Sequence, residues 1–275
     1  MKARLLMGAT LVVALFSFTA EASMHWVPAP AVKGHGHAGH GGGHGGGNSR
    51  HAGETYLLHG GEGAETQLMS PHLAVKALQP EQGRVSVKAM GTGNYHALVA
   101  KRSAGELHES AIRYIYMNGK PSGVSPSLLI GHEKSALEIE PAPLAREHWR
   151  YYSGTDAVFV IRYRGEPLAG ASMSMTTGNG SSAEFTADAT GRVTVPLPQD
   201  FTYEKPGRAA NPPAEFLLTA RHGDDGQRFI TTFSYDYHIN PQHWQSTELG
   251  LAMVGGGMLL GGFMTLRKRR RKEKK

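Results

Sequence analysis

From about Gln67 onward, apolar and polar residues alternate in short runs separated by turn-forming residues. In "RVSVKAM" (84–90), Val85, Val87 and Ala89 fall two apart. The same texture recurs in "YHALVAK" (95–101), "AIRYIYM" (111–117), "ALEIE" (136–140), "AVFVIRY" (157–163), "RVTVPL" (192–197), "EFLLTAR" (215–221) and "RFITTFSYDY" (228–237). Between them, "MGTGN", "NGKPSG", "RGEP", "TGNGSS" and "HGDDG" supply the glycine, proline and asparagine that tight turns require. A side-chain period of two in short runs, with no sustained helical period, predicts an all-β fold of one or two Ig-like β-sandwich modules. The "EPAP" sequence predicts a boundary, with β module 1 at 67–140 and an Ig-like β module 2 at 141–245.

The two ends break this pattern. Lys2 and Arg4 precede the apolar run "LLMGATLVVALFSF", and Ala20 and Ala22 flank Glu21 in a small-x-small cleavage signature. This reads as a signal peptide, 1–22, leaving Ser23 as the mature N-terminus; the alternative is an uncleaved membrane anchor. At the other end, "LGLAMVGGGMLLGGFMTL" (249–266) carries no charge and is followed by "RKRRRKEKK". Such a run is just long enough for a bilayer core of roughly 30 Å. It predicts a single C-terminal transmembrane helix, 246–266, with a basic cytoplasmic tail, 267–275, kept inside by its positive charge. The expected location is the bacterial inner membrane, crossed once, with the ectodomain in the periplasm.

Topology changes the meaning of the net charge of +6. Of 29 basic residues, eight lie in the tail and two in the signal; of 23 acidic residues, one lies in each. The exported portion therefore holds 19 basic and 21 acidic residues, a net −2, together with all 15 histidines. No basic surface remains for nucleic acid. The chain has no cysteine, so an ordinary hydrophobic core must stabilise it, and any metal ligands must be nitrogen, oxygen or thioether sulfur.

Residues 23–66 are rich in glycine, histidine and proline and poor in aliphatics, which predicts a disordered His/Gly-rich N-terminal arm. Within it, "VKGHGHAGHGGGHGGGNSRH" places His35, His37, His40, His44 and His51 at short spacings on glycine. Imidazoles on so soft a backbone can converge on one ion and suit Ni, Co, Cu or Zn in loose, exchangeable sites. Cleavage at Ala22 would add a second signal, Ser23-Met24-His25. There the α-amine, two amide nitrogens and the His25 imidazole can enclose Cu(II) or Ni(II) in a square plane. The plainer reading of the arm is a spacer.

A family resemblance bears on the same question. "LEIEPAPLAREHWRYYSGTDAVFVIRYRGEPLAGASMSM", "FTADATGRVTVPLP" and "FLLTARH" share a strand, a G-x-P-L-x-G-A element (Gly165, Pro167, Leu168, Gly170, Ala171) and a turn into D-A-x-G-R (Asp188, Ala189, Gly191, Arg192). In these, residues 67–238 resemble a family of exported bacterial proteins that accompany nickel and cobalt uptake systems, and other Ig-like and prealbumin-like modules share the same features. The resemblance implies Ig-like or prealbumin-like β-modules, a divalent transition metal as the bound ion, and an inner-membrane metal permease as the partner. The long His/Gly arm and the C-terminal span depart from many of its members.

Other candidates carry less. His96, His108, His132, His148, His222, His238 and His243 follow no metal-ligand spacing, though His96 is the one expected to point inward from a strand. Met173 and Met175 share a strand face, where methionine is usually core. "HEKSA" and "HESAI" lack the second histidine of a zincin, no G-x-S-x-G is present, and "GTGNYH" does not fit a dinucleotide loop. The sequence therefore leads to a non-enzymatic, membrane-tethered periplasmic protein that captures Ni or Co (or Cu or Zn) for an uptake transporter. The alternative is an envelope interaction module with a spacer arm.

Overall fold

The structure, a computed structural model, describes residues 24–30, 54–88, 91–145, 150–205, 207, 210–243 and 247–272, with helix side chains from 251 to 263. Each alternating run forms a strand: β5 (Arg84–Val87), β6 (Thr92–Ala104), β7 (Leu107–Met117), β9 (Leu137–Pro141), β10 (Asp156–Tyr163), β14 (Arg192–Pro196), β15 (Ala214–Asp224) and β16 (Gln227–Tyr237). Between them lie β8 (Lys120–Pro121), β11 (Glu166–Pro167), β12 (Ser172–Thr177) and β13 (Ser182–Thr186), with one short helix, α1 (Pro126–Ile130).

Four further strands lie nearer the N-terminus: β1 (His25–Pro28), β2 (Glu54–His59), β3 (Glu65–Met69) and β4 (Val75–Leu78). Three of them depart from the expectation of a disordered arm over 23–66, because β1 and β2 fall inside it and β3 begins there. The reason is local. "ETYLLH" alternates Tyr56 and Leu58 inward, and β1 brings Trp26, which is 0% exposed. Residues 31–53 lie outside the described residues.

The largest sheet runs β13-β12-β15-β16-β7-β6-β3-β4, with β8 added beside β6. Its central pair, β16 and β7, is parallel, with Arg228 opposite Leu107 and Phe233 opposite Ile112. That pair splices the two expected modules into one sheet. The boundary expected at 140/141 falls inside β9, whose partner is β10. The hydrophobic pattern marks strands but not their neighbours, so it could not show this exchange. A second layer, β11-β10-β14 with β9, packs on one face of the large sheet; a third, β1-β2-β5, packs on the other.

The β6–β7 ribbon is consequently buried on both sides. Tyr95, Ala97, Val99, Ile112 and Tyr114 enter the larger core, where Phe159, Phe216 and Phe233 lie with ring centroids 5.4 to 6.2 Å apart. Leu98, Ala100, Ala111, Ile115 and Met117 enter a smaller core with Trp26, Tyr56, Leu58, Val85 and Val87. A tight turn at Gly105, whose φ of 60° suits glycine, closes the ribbon.

After the large sheet the chain ends in α2 (Thr247–Lys272), on which Leu251, Met253, Val254, Met258, Leu259, Leu260 and Phe263 are exposed. A helix thus occupies the region expected to cross the membrane. Among the described residues, no helix is long and apolar enough to cross one.

Candidate functional site

The His/Gly-rich segment is built into the fold at both ends. β1 and β2 pair antiparallel from His25–His59 to Pro28–Tyr56, and the Ala29 amide donates to the Thr55 carbonyl at 2.8 Å. Residues 31–53 therefore leave and re-enter the fold through two adjacent strands. Because inter-strand bonds in an antiparallel ladder alternate, the Ala29–Thr55 bond makes His25–His59 a hydrogen-bonded pair. It also leaves the carbonyls of Met24 and Trp26 on the outer edge of β1. Both are capped there: Thr232 Oγ1 donates to Met24 O and Ser234 Oγ to Trp26 O, each at 2.6 Å. The i, i+2 spacing of the two hydroxyls on one face of β16 matches the i, i+2 spacing of the carbonyls. The Trp26 indole Nε1 donates to Ala111 O at 3.2 Å. An edge that would otherwise stand open is thus fastened to the layer beneath it.

Beside the Pro28–Tyr56 end of this hairpin lies a cleft of about 420 Å³, lined by Glu54, Tyr56, Tyr95, Arg113, Arg150 and Asp236 among others. Arg113 is its fixed charge, 4% exposed in the middle of an apolar strand. Its guanidinium makes a fork with Glu215 (Nη1–Oε2 2.5 Å, Nη2–Oε1 3.2 Å) and lies 3.9 Å from Asp236. It also sits over the rings of Tyr56 and Tyr235, at 5.7 and 5.6 Å from their centroids. Burial disfavours its charge, but Glu215, with Tyr56 and Asp236, outweighs this and holds its pKa above the ordinary arginine value. Burial also acts on Asp236, yet the His238 bond (2.8 Å) and Arg113 keep its carboxyl below the usual range. His238 Nε2 in turn meets Arg150 Nη1 at 3.0 Å. Tyr56 donates to Glu54 at 2.5 Å, and burial followed by that carboxylate pushes its phenol far up. The cleft is a polar, tyrosine-walled recess in which Arg113 is paired with Glu215, while the buried Arg150 Nε has no hydrogen-bond partner among the described residues.

The proposed metal ligands fall differently. His35, His37, His40, His44, His51 and Ser23 lie outside the described residues. His25 stands on β1 opposite His59, with the two imidazoles stacked at 5.1 Å and 19°. The square-planar site expected at Ser23-Met24-His25 would need the His25 amide nitrogen that the ladder engages. It would also draw Met24, 1% exposed, out of the small core. Among the described residues, no three His, Asp, Glu or Cys side chains are gathered to hold a metal ion.

Of the scattered histidines, His96 is fully buried, with burial lowering its pKa, whereas His243 meets Glu204 at 2.8 Å near the start of α2. Met173 and Met175 are core residues. Sequence reasoning missed His59 and the Arg113 cluster. A signal for each was present: His59 ends the alternating run "ETYLLH", and Arg113 is the lone charge in "AIRYIYM".

No family model matches the chain, and no curated protein matches it. Similar solved structures include a tetra-tandem repeat from the extending region of a large adhesion protein, at 7% identity and a TM-score of 0.25, covering 70% of this chain and 46% of that one. Salmonella alpha-2-macroglobulin reacted with methylamine is similar at 14% identity and a TM-score of 0.27, covering 70% and 14%. A Ca2+-stabilized adhesin of an Antarctic, ice-binding bacterium gives 14% and 0.26, covering 68% and 43%. The chain spans less than half the length of each, and TM-scores this low carry no functional argument.

Proposed function

We propose that this protein is an exported, membrane-tethered metal-capture protein whose His/Gly-rich segment is a loop held out from a β-sandwich body. One observation carries the reading: the segment's two ends are joined to each other, through Ala29 and Thr55, on strands fastened to the core. A spacer separates two bodies and has one end on each. A segment whose ends return to the same hairpin separates nothing, so its length and histidines need another purpose. Capture of Ni, Co, Cu or Zn fits the imidazole chemistry of His35, His37, His40, His44 and His51. The resemblance to proteins accompanying nickel and cobalt uptake points to an inner-membrane permease as the recipient. For the tether the support is the sequence. The uncharged run over 249–266, of which the described helix side chains are only part, and its basic flank favour one crossing with the body in the periplasm. The alternative, an envelope interaction module, loses its spacer arm on the same observation.

The test replaces 31–53 by a histidine-free glycine/serine segment of equal length in the full chain. Ni(II) bound per chain, measured by calorimetry, should fall by at least one ion. The melting temperature should stay within a few degrees, because a loop of unchanged length leaves the closure entropy unchanged. An unaltered stoichiometry would refute capture by the loop.

A further inference from the structure

We infer that His25 and His59 form a second metal site, a two-imidazole clamp on the rigid end of the β1–β2 hairpin, open to exchangeable ligands in its remaining positions. The inference rests on the metal-capture reading for its class of ligand, but on none of the loop histidines.

Three observations converge on it. The residues are direct cross-strand partners, and their rings already lie face to face at 5.1 Å. Two nitrogens bound to one ion at about 2.0 Å stand roughly 3 Å apart. Rotation about the side-chain bonds can bring two imidazoles from a 5 Å stack to that separation without moving the backbone. The backbone is held on both sides: Trp26 and Leu58, the next cross-strand pair, are 0% and 8% exposed in the small core, and the Met24 and Trp26 carbonyls are capped by Thr232 and Ser234. The clamp is therefore set by the fold before any ion arrives, which reduces the ordering cost that a flexible chelate must meet. Lastly, the pair is accessible, His59 being exposed and His25 partly so.

Two protein ligands make a weak, labile site. Borderline ions that favour imidazole, Ni(II), Co(II) and Zn(II), are the class it suits. Its chemistry differs from the amide-plane site that the terminal sequence suggests. The clamp needs the His59 imidazole and leaves the ladder intact; the amide plane needs no His59 and breaks the ladder at His25.

The experiment uses the purified full chain in which His35, His37, His40, His44 and His51 are alanine, titrated with Ni(II) by calorimetry and visible absorption. The clamp predicts one ion per chain without the strong visible band of square-planar amide ligation. His59→Ala and His25→Ala should each weaken it by at least about tenfold, since loss of even an outer-shell partner commonly costs 10–100-fold. His59→Asn serves as a second variant, and circular dichroism confirms that each variant is folded. Unchanged affinity in His59→Ala overturns the clamp, as does no Ni(II) bound in the five-alanine chain, or a square-planar band that survives loss of His59. Equal stoichiometry in the wild type and the five-alanine chain, with the His59 effect intact, would instead refute capture by the loop and leave the clamp standing.

Discussion

The β6–β7 ribbon shows two very different faces to its neighbours. Toward β9, β10 and β14 it presents mainly apolar and aromatic side chains, joined to a core that includes Phe159, Phe216 and Phe233, with Ser110 hydrogen-bonded to Ser135 and Thr231. Toward β1, β2 and β5 it presents Leu98, Ala100, Ala111, Ile115 and Met117, but also His96 and Arg113. The first face is sealed mainly by sheet packing. The second is covered by short strands that depend on particular fastenings: one indole, two hydroxyls and the Arg113 guanidinium over the Tyr56 ring. A layer held by a few strong points can carry a long insertion between its strands, because the insertion need not contribute to its stability.

Matched truncations should break this comparison most visibly. Phe159→Ala and Trp26→Ala each delete a fully buried aromatic, and each should cost about 3–5 kcal/mol. Hydrogen exchange should separate them. Phe159→Ala should lower protection throughout the large sheet, whereas Trp26→Ala should lower it first in β1, β2 and β5. Equal loss in β10 and β15 from both variants would mean that the two faces belong to one cooperative core.

A smaller effect is expected from the charge at the second face. Arg113→Met keeps the volume and leaves Glu215 and Asp236 without their cation. Both carboxylates are about one-third exposed, so the loss should be about 2 kcal/mol in a denaturant titration, in the range for hydrogen bonds to charged groups. Adding Glu215→Gln should recover part of it. No recovery would assign the loss to packing on Tyr56 and Tyr235 instead of to charge.

The smallest effect is expected from pH. His96 is 0% exposed, and burial lowers its pKa, so the folded state keeps it neutral. The unfolded chain binds a proton there below about pH 6.5. His96 therefore contributes full stability above that pH and loses it as pH falls toward the lower folded value. Between pH 7.5 and 5.5 the wild type should lose more stability than His96→Leu. Parallel pH profiles would remove His96 as the acid-sensitive point of this face.

The sequence by itself determined the strands of the body. From β5 through β16 the main runs carry a period-two pattern strong enough to name them, since alternation is a property of each strand alone. The inward direction of His96 was legible for the same reason, and the all-β class followed. The "ETYLLH" strand was hidden by the glycine and histidine around it, and β1 is too short to show a period.

Only the tertiary structure decided the rest. The parallel pairing of β16 with β7 depends on which strands become neighbours, a choice made by packing of faces far apart in the sequence. The hydroxyls of Thr232 and Ser234 meet the carbonyls of Met24 and Trp26 across 208 residues, and no local pattern encodes such a match. The pairing of His25 with His59 lies outside any local pattern as well. Composition identified the histidines as candidate ligands; long-range hydrogen bonds and one buried tryptophan decided that β1 and β2, which flank residues 31–53, are paired and fastened to the body.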